Sequence, residues 1–161
     1  MMVAMVGLVA ISCDDRNDEV IGDGDTFAVM TDITASLTSG NSYAVTQGIS
    51  IPSTDVVLVY RRVVDAWQLI PKTVYLPNVP TLPNGREFDY NFVFDTQNVQ
   101  IRIDDQNFNL ATEMTPAETN QYLTNQTFRI VLVPASQGKN ANVDYSDYSS
   151  VIKYYNIPDK K

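Results

Sequence analysis

The sequence predicts a mainly β protein, a single antiparallel β-sandwich of immunoglobulin-like architecture with one or two short helices. Residues that favour strands, namely valine, isoleucine, threonine, tyrosine and phenylalanine, are abundant. Polar turn segments recur roughly every ten residues and separate short apolar or alternating runs. A chain of 161 residues suits one domain, so we assign residues 26–161 to the sandwich.

The first half of this region contains three predicted strands and a broken fourth. Phe27–Ile33 and Tyr43–Ile51 are rich in strand formers, and the polar stretch TASLTSGNS separates them. Val56–Tyr60 is apolar on both faces, which is typical of a central strand that is buried from both sides. Pro71 breaks the following strand or places it at a sheet edge, because proline lacks the N–H that a sheet ladder needs.

A β-hairpin is the clearest pattern in the chain. In FDYNFVF and in VQIRI, apolar and polar residues alternate, and the four-residue polar turn DTQN joins the two runs. This pattern predicts two paired strands with one dry face and one wet face. The aromatic residues of the first run form either a core face, which we favour, or a ligand platform; they are Phe88, Tyr90, Phe92 and Phe94.

Start signals predict a short helix before the last strand. Thr115 suits the N-cap, Pro116 the first helical position and Glu118 the third, so the helix begins here and ends near Leu123. The segment FRIVLV that follows is apolar on both faces except for Arg129, which predicts a second doubly buried strand.

The carboxyl-terminal segment has helical spacing. Tyr148, Val151, Ile152 and Tyr155 recur at i, i+3, i+4 and i+7, with a capping residue just before them, Ser146 or Asp147. A strand is the alternative, since tyrosine and β-branched residues are frequent in this segment.

The charge of the chain is concentrated near its amino end. The formal net charge is −8, of which Cys13–Asp25 carries −5, with six acidic residues against one arginine. Residues 26–161 carry the remaining −3. Nucleic-acid binding requires clustered lysine and arginine, so this distribution argues against a nucleic-acid partner. The absence of histidine removes Ser-His-Asp and Cys-His catalysis and histidine-based zinc sites.

The only cysteine, Cys13, follows an apolar run. Residues 1–12 reach about 18 Å as a helix, which is shorter than the roughly 30 Å of a membrane core but suits a secretory signal. Small residues precede the cysteine, in the order Ala10, Ile11 and Ser12. This junction resembles the lipobox of bacterial lipoproteins, although no basic residue precedes the run. The resemblance implies a signal peptide over residues 1–12 and a lipid anchor on Cys13; the alternative is an apolar amino end with a buried free cysteine.

The acidic segment after Cys13 predicts a flexible tether over residues 14–24, within a linker over residues 13–25. It resembles the export signal that directs lipoproteins of Bacteroidota to the outer face of the outer membrane, and the overall layout resembles small envelope lipoproteins of that group. The resemblance implies a lipid-anchored, outer-membrane protein at the cell surface that contacts another envelope protein. A plain solvated linker and a periplasmic orientation remain the alternative.

Two segments bear weak likeness to calcium sites. Asp105, Asn107 and Asn109 match the first ligand positions of an EF-hand loop, but Leu110 stands where glycine is required, so we favour a hairpin exit. The triplet at residues 23–25, Asp-Gly-Asp, is a weaker signal. We therefore predict no metal and no cofactor.

Aromatic residues give the candidate contact site. Trp67, the only tryptophan, together with Tyr60 and Tyr75, and with Tyr90 as a further member, could form an aromatic surface for a sugar or a partner. Polar side chains flank it, namely Arg61, Arg62 and Gln68. The alternative is that Trp67 fills the core. No nucleophile elbow or phosphate loop is present, so we predict a non-enzymatic structural or protein-interaction role, with a glycan-binding module and a carboxylate-only hydrolase as alternatives.

Overall fold

Two antiparallel sheets face each other and enclose the core. The computed structural model describes residues 21–22, 28–53, 55–135 and 143–158. In these ranges the elements are β1 (Ile21–Gly22), β2 (Val29–Ala35), a 3₁₀-helix (Ser39–Asn41), β3 (Ala44–Ser50), β4 (Val56–Val63), β5 (Ala66–Leu69), β6 (Lys72–Tyr75), β7 (Glu87–Phe94), β8 (Asn98–Asp104), α1 (Pro116–Tyr122), β9 (Gln126–Val133) and α2 (Tyr148–Tyr154).

The strand order defines the sandwich. One sheet has the order β2-β9-β4-β5, and the other has the order β3-β8-β7-β6, with the two-residue β1 lying parallel to β3 at its edge. Every other pairing is antiparallel. The predicted fold class is confirmed: the described chain is mainly β, forms an antiparallel β-sandwich and carries two short helices.

The main core lies between the sheets. Val59 and Ile130 from one sheet and Phe88, Tyr90 and Ile101 from the other have no exposed surface. Burying a side chain of this size contributes about 1.5–3 kcal/mol each, so these residues hold the sheets together. The predicted hairpin is confirmed, because β7 pairs with β8 along its length.

The dry face of that hairpin fades towards its turn. Phe88 and Tyr90 are fully buried, Phe92 packs against the edge of the core, and Phe94 is 46 % exposed. The core interpretation of the four aromatic residues is therefore confirmed for the first two, while the stacked rings of Phe92 and Phe94 lie at the rim.

A second apolar cluster lies on the outer face of the β2-β9-β4-β5 sheet. Val151 of helix α2 and Tyr155, the residue that follows the helix, cover this face and pack with Met30 and Val131 from the strands. The predicted helix is confirmed, and Asp147 caps it by accepting a hydrogen bond from the Ser149 N–H at 3.0 Å. The same packing explains why β4 is buried from both sides, as its apolar run predicts.

Two segments shape one end of the sandwich: the connection between β5 and β6, and helix α1. Pro71 lies between β5 and β6, which are the edge strands of different sheets, so the chain crosses the sandwich here. Helix α1 begins with the predicted capping box, in which Thr115 Oγ1 accepts from the Glu118 N–H and Glu118 Oε2 accepts from the Thr115 N–H. This fixed start sets the position of the last turn of α1, beside the beginning of β9.

The predictions for the amino end fall largely outside the described residues. These include the lipid attachment at Cys13, the signal peptide and the Asp-Gly-Asp triplet at residues 23–25. Ile21–Gly22, from the predicted tether, form the short strand β1. Phe27, the first residue of the predicted strand, also lies outside, and the described strand begins at Val29.

Candidate functional site

Of the three aromatic residues proposed from the sequence, Tyr60 and Trp67 both contact Tyr148, with ring centroids 5.3 and 5.8 Å away, whereas Tyr75 lies apart from them. Tyr60 has no exposed surface, and its hydroxyl donates to the Tyr145 carbonyl at 2.9 Å beneath the α2 region. Burial raises the pKa of Tyr60 well above its usual range, so this hydroxyl stays neutral and serves as a donor. Tyr75 is 73 % exposed on β6, in the opposite sheet. The structure therefore does not join these two tyrosines into one aromatic surface.

Trp67 lies half-buried on β5, where its ring covers the buried arginine of an ion pair. The Arg129 guanidinium lies 4.1 Å from the centroid of the indole ring. Arg129 donates to both carboxylate oxygens of Asp32, at 2.6 and 2.8 Å, and also to the Tyr148 hydroxyl. Trp67 thus packs on the outer face of its sheet. The alternative interpretation placed it in the core between the sheets, which lies on the opposite face of the sheet.

Tyr90, the further member of the proposed surface, lies in the inter-sheet core. Its hydroxyl donates to the Tyr122 carbonyl, and burial raises its pKa well above the usual range, although the nearby Arg61 opposes this shift. The face of its ring is 4.6 Å from the Arg61 guanidinium. Arg61 is itself buried, and its polar contacts differ from those of the other buried arginines.

Three arginines are buried in the described residues: Arg61, Arg86 and Arg129. Two of them have a carboxylate partner. Arg86 donates to both oxygens of Glu118, at 2.9 and 2.8 Å, just as Arg129 donates to Asp32. A buried charge is costly unless it is paired, and these two-point contacts provide the pairing. Arg61 is the exception.

Arg61 is 6 % exposed and has only neutral partners among the described residues. Its Nε and Nη2 donate to Gln126 Oε1 at 2.9 and 2.6 Å, and Nη2 also donates to the Gln121 carbonyl at 3.2 Å. The rings of Tyr90 and Tyr122 lie 4.6 and 5.8 Å from its guanidinium. No described carboxylate lies within ion-pair distance. Among the described residues, the charge is therefore stabilised by dipoles and aromatic faces.

Arg61 lines an open groove of about 450 Å³ at one end of the sandwich, which we call the Arg61 groove. The groove lies between the β4–β5 hairpin, β6, the end of α1 and the start of β9. Its described lining residues are Arg61, Arg62, Val63, Val64, Gln68, Lys72, Thr73, Val74, Gln121, Tyr122, Asn125, Gln126 and Thr127.

The lining of the Arg61 groove is basic, although the chain carries a net charge of −8. Arg61, Arg62 and Lys72 are its cations, and no acidic residue is among the described lining residues. Arg62 and Lys72 are exposed, and neither forms an ion pair with a described carboxylate; the Arg62 guanidinium lies 5.7 Å from the Trp67 ring centroid, and its Nε donates to the Val64 carbonyl at 3.3 Å. The remaining lining is rich in amide side chains, which can donate and accept hydrogen bonds. The groove can therefore receive a polar group of negative charge.

The sequence indicated part of this site for another reason. Arg61, Arg62 and Gln68 appeared only as neighbours of Trp67, and Lys72, Gln121 and Gln126 were missed. One signal could have identified Arg61: it continues the inward alternation of Val57 and Val59 in a strand that is apolar on both faces. An arginine in that position must be buried, and it therefore needs a partner.

Most of the described carboxylates serve structural contacts. Asp32 and Glu118 pair with arginines, Asp55 accepts from the Ala135 N–H at 3.0 Å, and Asp147 caps α2. Asp95 accepts from the backbone N–H groups of its own hairpin turn, and these bonds hold its pKa below the usual range. Within the described ranges, no three acidic or cysteine side chains converge in a metal-binding arrangement.

The EF-hand-like segment forms a turn after β8. Asn107 Oδ1 accepts from the Glu87 N–H at 2.9 Å, and the Asn107 amide donates to the Gly85 carbonyl at 2.9 Å. Asn109 Oδ1 accepts from the Ala111 N–H at 2.9 Å. These amide groups tie the exit of the hairpin to neighbouring backbone, in agreement with the favoured interpretation.

Comparisons of the chain with protein-family models, with curated protein sequences and with solved structures find no match. In the part of the chain that the structure describes, neither helix has the length and apolar character needed to cross a bilayer.

Proposed function

We propose that this chain is a lipid-anchored envelope protein whose sandwich is a non-enzymatic binding module, and that it engages its partner through the Arg61 groove. One observation carries the binding role: a buried arginine with no carboxylate partner lines an open, basic groove. Small binding sites are typically concave, with a few convergent polar groups, and a volume of about 450 Å³ suits this description.

The non-enzymatic character is proposed because most of the described carboxylates are engaged in ion pairs, caps and turns. The anchor is proposed from the lipobox-like junction at Cys13. Two or three acyl chains on that residue would hold the domain at a membrane surface stably, because each buried methylene contributes about 0.8 kcal/mol. The anchor and the groove are separate parts of the proposal, and each has its own experiment.

Photo-crosslinking in intact cells tests the binding role. A photoreactive residue is placed at Gln121, which lines the Arg61 groove, and in a matched variant at Asn120, the preceding exposed residue of α1, which does not. A discrete crosslinked species from position 121 alone is the expected result. Equal crosslinking from both positions, or none from position 121, would overturn the groove as the surface that engages a partner in cells.

Acylation of the full chain in a Bacteroidota host tests the anchor. Cells are grown with an alkyne-labelled palmitate, and wild type is compared with Cys13→Ser. We expect label and membrane association for wild type and the loss of both for the variant. A Cys13→Ser protein that is acylated and membrane-bound like wild type contradicts the anchor.

A further inference from the structure

We infer that the Arg61 groove recognises an oxoanion, a carboxylate or a phosphate, carried by a small polar ligand. The inference rests on the proposed binding role and names the chemistry of the group that would be bound. It starts from the contrast among the three buried arginines, of which two are neutralised by carboxylates within the fold and one is not.

Part of the hydrogen-bonding capacity of Arg61 is unused, and this residue lines the groove. Nε and Nη2 are occupied by Gln126 and Gln121, whereas Nη1 donates to no described residue. Nη1 is also not sealed from solvent, in contrast to Arg86 Nε, which is buried without a partner. Arg61 therefore presents a charged, unoccupied donor group from a position that the surrounding fold holds fixed.

The partners of Arg61 hold the guanidinium in one orientation. Gln126 Oε1 is itself fixed, because the Gln126 amide donates to the Gln121 and Thr124 carbonyls at 3.1 and 2.8 Å. The Tyr90 and Tyr122 rings contact the guanidinium as well. Since less side-chain entropy is lost when a fixed group binds, this arrangement favours recognition of a planar or tetrahedral oxoanion.

The rest of the groove suits the same ligand. Lys72 adds an exposed cation without a described carboxylate partner, and Arg62, whose guanidinium lies 5.7 Å from the Trp67 ring centroid, adds a second positive charge nearby, so the local potential is positive. Amide groups of Gln68 and Asn125 can bond hydroxyl groups of the body of the ligand. A small molecule that combines one oxoanion with several hydroxyls matches this lining.

Titration of the full chain with four probes tests the inference. The probes are inorganic phosphate, glucose 6-phosphate, glucuronate and glucose, and the readouts are calorimetry and the NMR shift of the Arg61 side-chain Nε–H. Saturable binding of at least one anion, with no comparable binding of glucose, is expected. The phosphate and glucuronate arms distinguish a phosphate group from a carboxylate. No binding of any anion, or equal binding of glucose, would overturn the inference.

Variants locate the bound anion. Arg61→Met should weaken anion binding by about 10-fold to 100-fold, because a charge-assisted contact is removed. Arg62→Gln/Lys72→Gln changes only exposed side chains, so it keeps the test valid if Arg61→Met does not fold; about a tenfold loss is expected. Lys153→Gln, on α2 outside the groove, should bind like wild type. Equal affinity of the double variant and Lys153→Gln contradicts the inference.

The two proposals fail in different ways. Crosslinking from position 121 without anion binding would leave the groove as a binding site and remove the oxoanion. Anion binding that depends on Arg61, without crosslinking in cells, would retain the oxoanion site and remove the partner.

Discussion

Arg129 and Arg61 lie side by side in one sheet but face opposite environments. Arg129 pairs across the strands with Tyr60, the residue before Arg61, so the two arginines occupy nearly the same place on opposite faces. On the outer face, Arg129 is neutralised by Asp32 and covered by Trp67. On the inner face, Arg61 has neutral acceptors and opens to a groove.

The difference shows that a counter-ion within the fold determines whether a buried arginine serves structure or remains available to a ligand. An arginine with a two-point carboxylate partner has its charge matched within the fold, so it contributes to structure. An arginine held by an amide and a backbone carbonyl keeps its full charge available to a ligand. If this comparison is right, substitutions at the paired arginine sites should mainly change stability, and substitutions at Arg61 should mainly change binding.

The largest expected effect is at the second paired arginine. Glu118→Gln should lower the free energy of unfolding by about 3–5 kcal/mol, because Arg86 is left charged and buried without its partner. Urea denaturation at neutral pH measures the loss. Asp65→Asn, in the exposed β4–β5 turn, is the matched control and should change stability by less than about 0.5 kcal/mol. Similar small losses for both variants would show that the buried pair does not matter.

The same pair should make stability depend on pH. The hydrogen bond from Arg86 holds the pKa of Glu118 below its usual range, so the folded state binds this proton less readily than the unfolded state. The stabilisation is therefore fully present above about pH 4.3, the ordinary glutamate pKa, and is lost as the pH falls through the folded pKa. The stability gap between wild type and Glu118→Gln should narrow on acidification. A gap that is constant from neutral pH to about pH 3 would refute this linkage.

Asp32→Asn should have a smaller effect than Glu118→Gln. The Asp32 side chain is 37 % exposed, so water screens the pair and can partly replace the carboxylate. We expect a loss of about 1–2 kcal/mol in urea denaturation, since one charge-assisted pair becomes neutral. A loss as large as that of Glu118→Gln would mean that exposure does not weaken the Arg129 pair.

Arg61→Met should have the smallest effect on stability, about 1 kcal/mol or less. The substitution leaves Gln126 Oε1 without a donor but also removes a buried charge that has no counter-ion, and the two terms oppose each other. Arg86→Met is the comparison, because it strands the buried Glu118 carboxylate and should cost about 3–5 kcal/mol. Equal losses in the free energy of unfolding for Arg61→Met and Arg86→Met would contradict the distinction between paired and unpaired arginines.

Local patterns in the sequence predicted most of the fold. The alternation in β7 and β8, the capping box at Thr115 and the helical spacing after Asp147 each depend on residues close together in the chain. Their outcome was therefore visible without tertiary information. The exposure of Phe94 could not be predicted in this way, because it depends on how far the β2-β9-β4-β5 sheet extends over the hairpin.

The candidate site was predicted less well, for a physical reason. The sequence grouped Trp67, Tyr60 and Tyr75 by residue type and proximity, but the crossing at Pro71 sends Tyr75 to the other sheet. The groove instead combines the β4–β5 hairpin with Gln121 and Gln126, which arrive from α1 and β9. No local pattern specifies that encounter.

The sequence by itself determined the strands, the hairpin, the helix caps and the two-sided burial of β4, because each follows from a short-range period or a capping bond. Only the tertiary structure decided which buried arginine has a counter-ion. Asp32 is 97 positions from Arg129 in the chain and reaches it through the pairing of β2 with β9. Arg61 points to the other face of the sheet, where Gln126 and two aromatic rings meet it and no described carboxylate does, so its charge remains open to the groove.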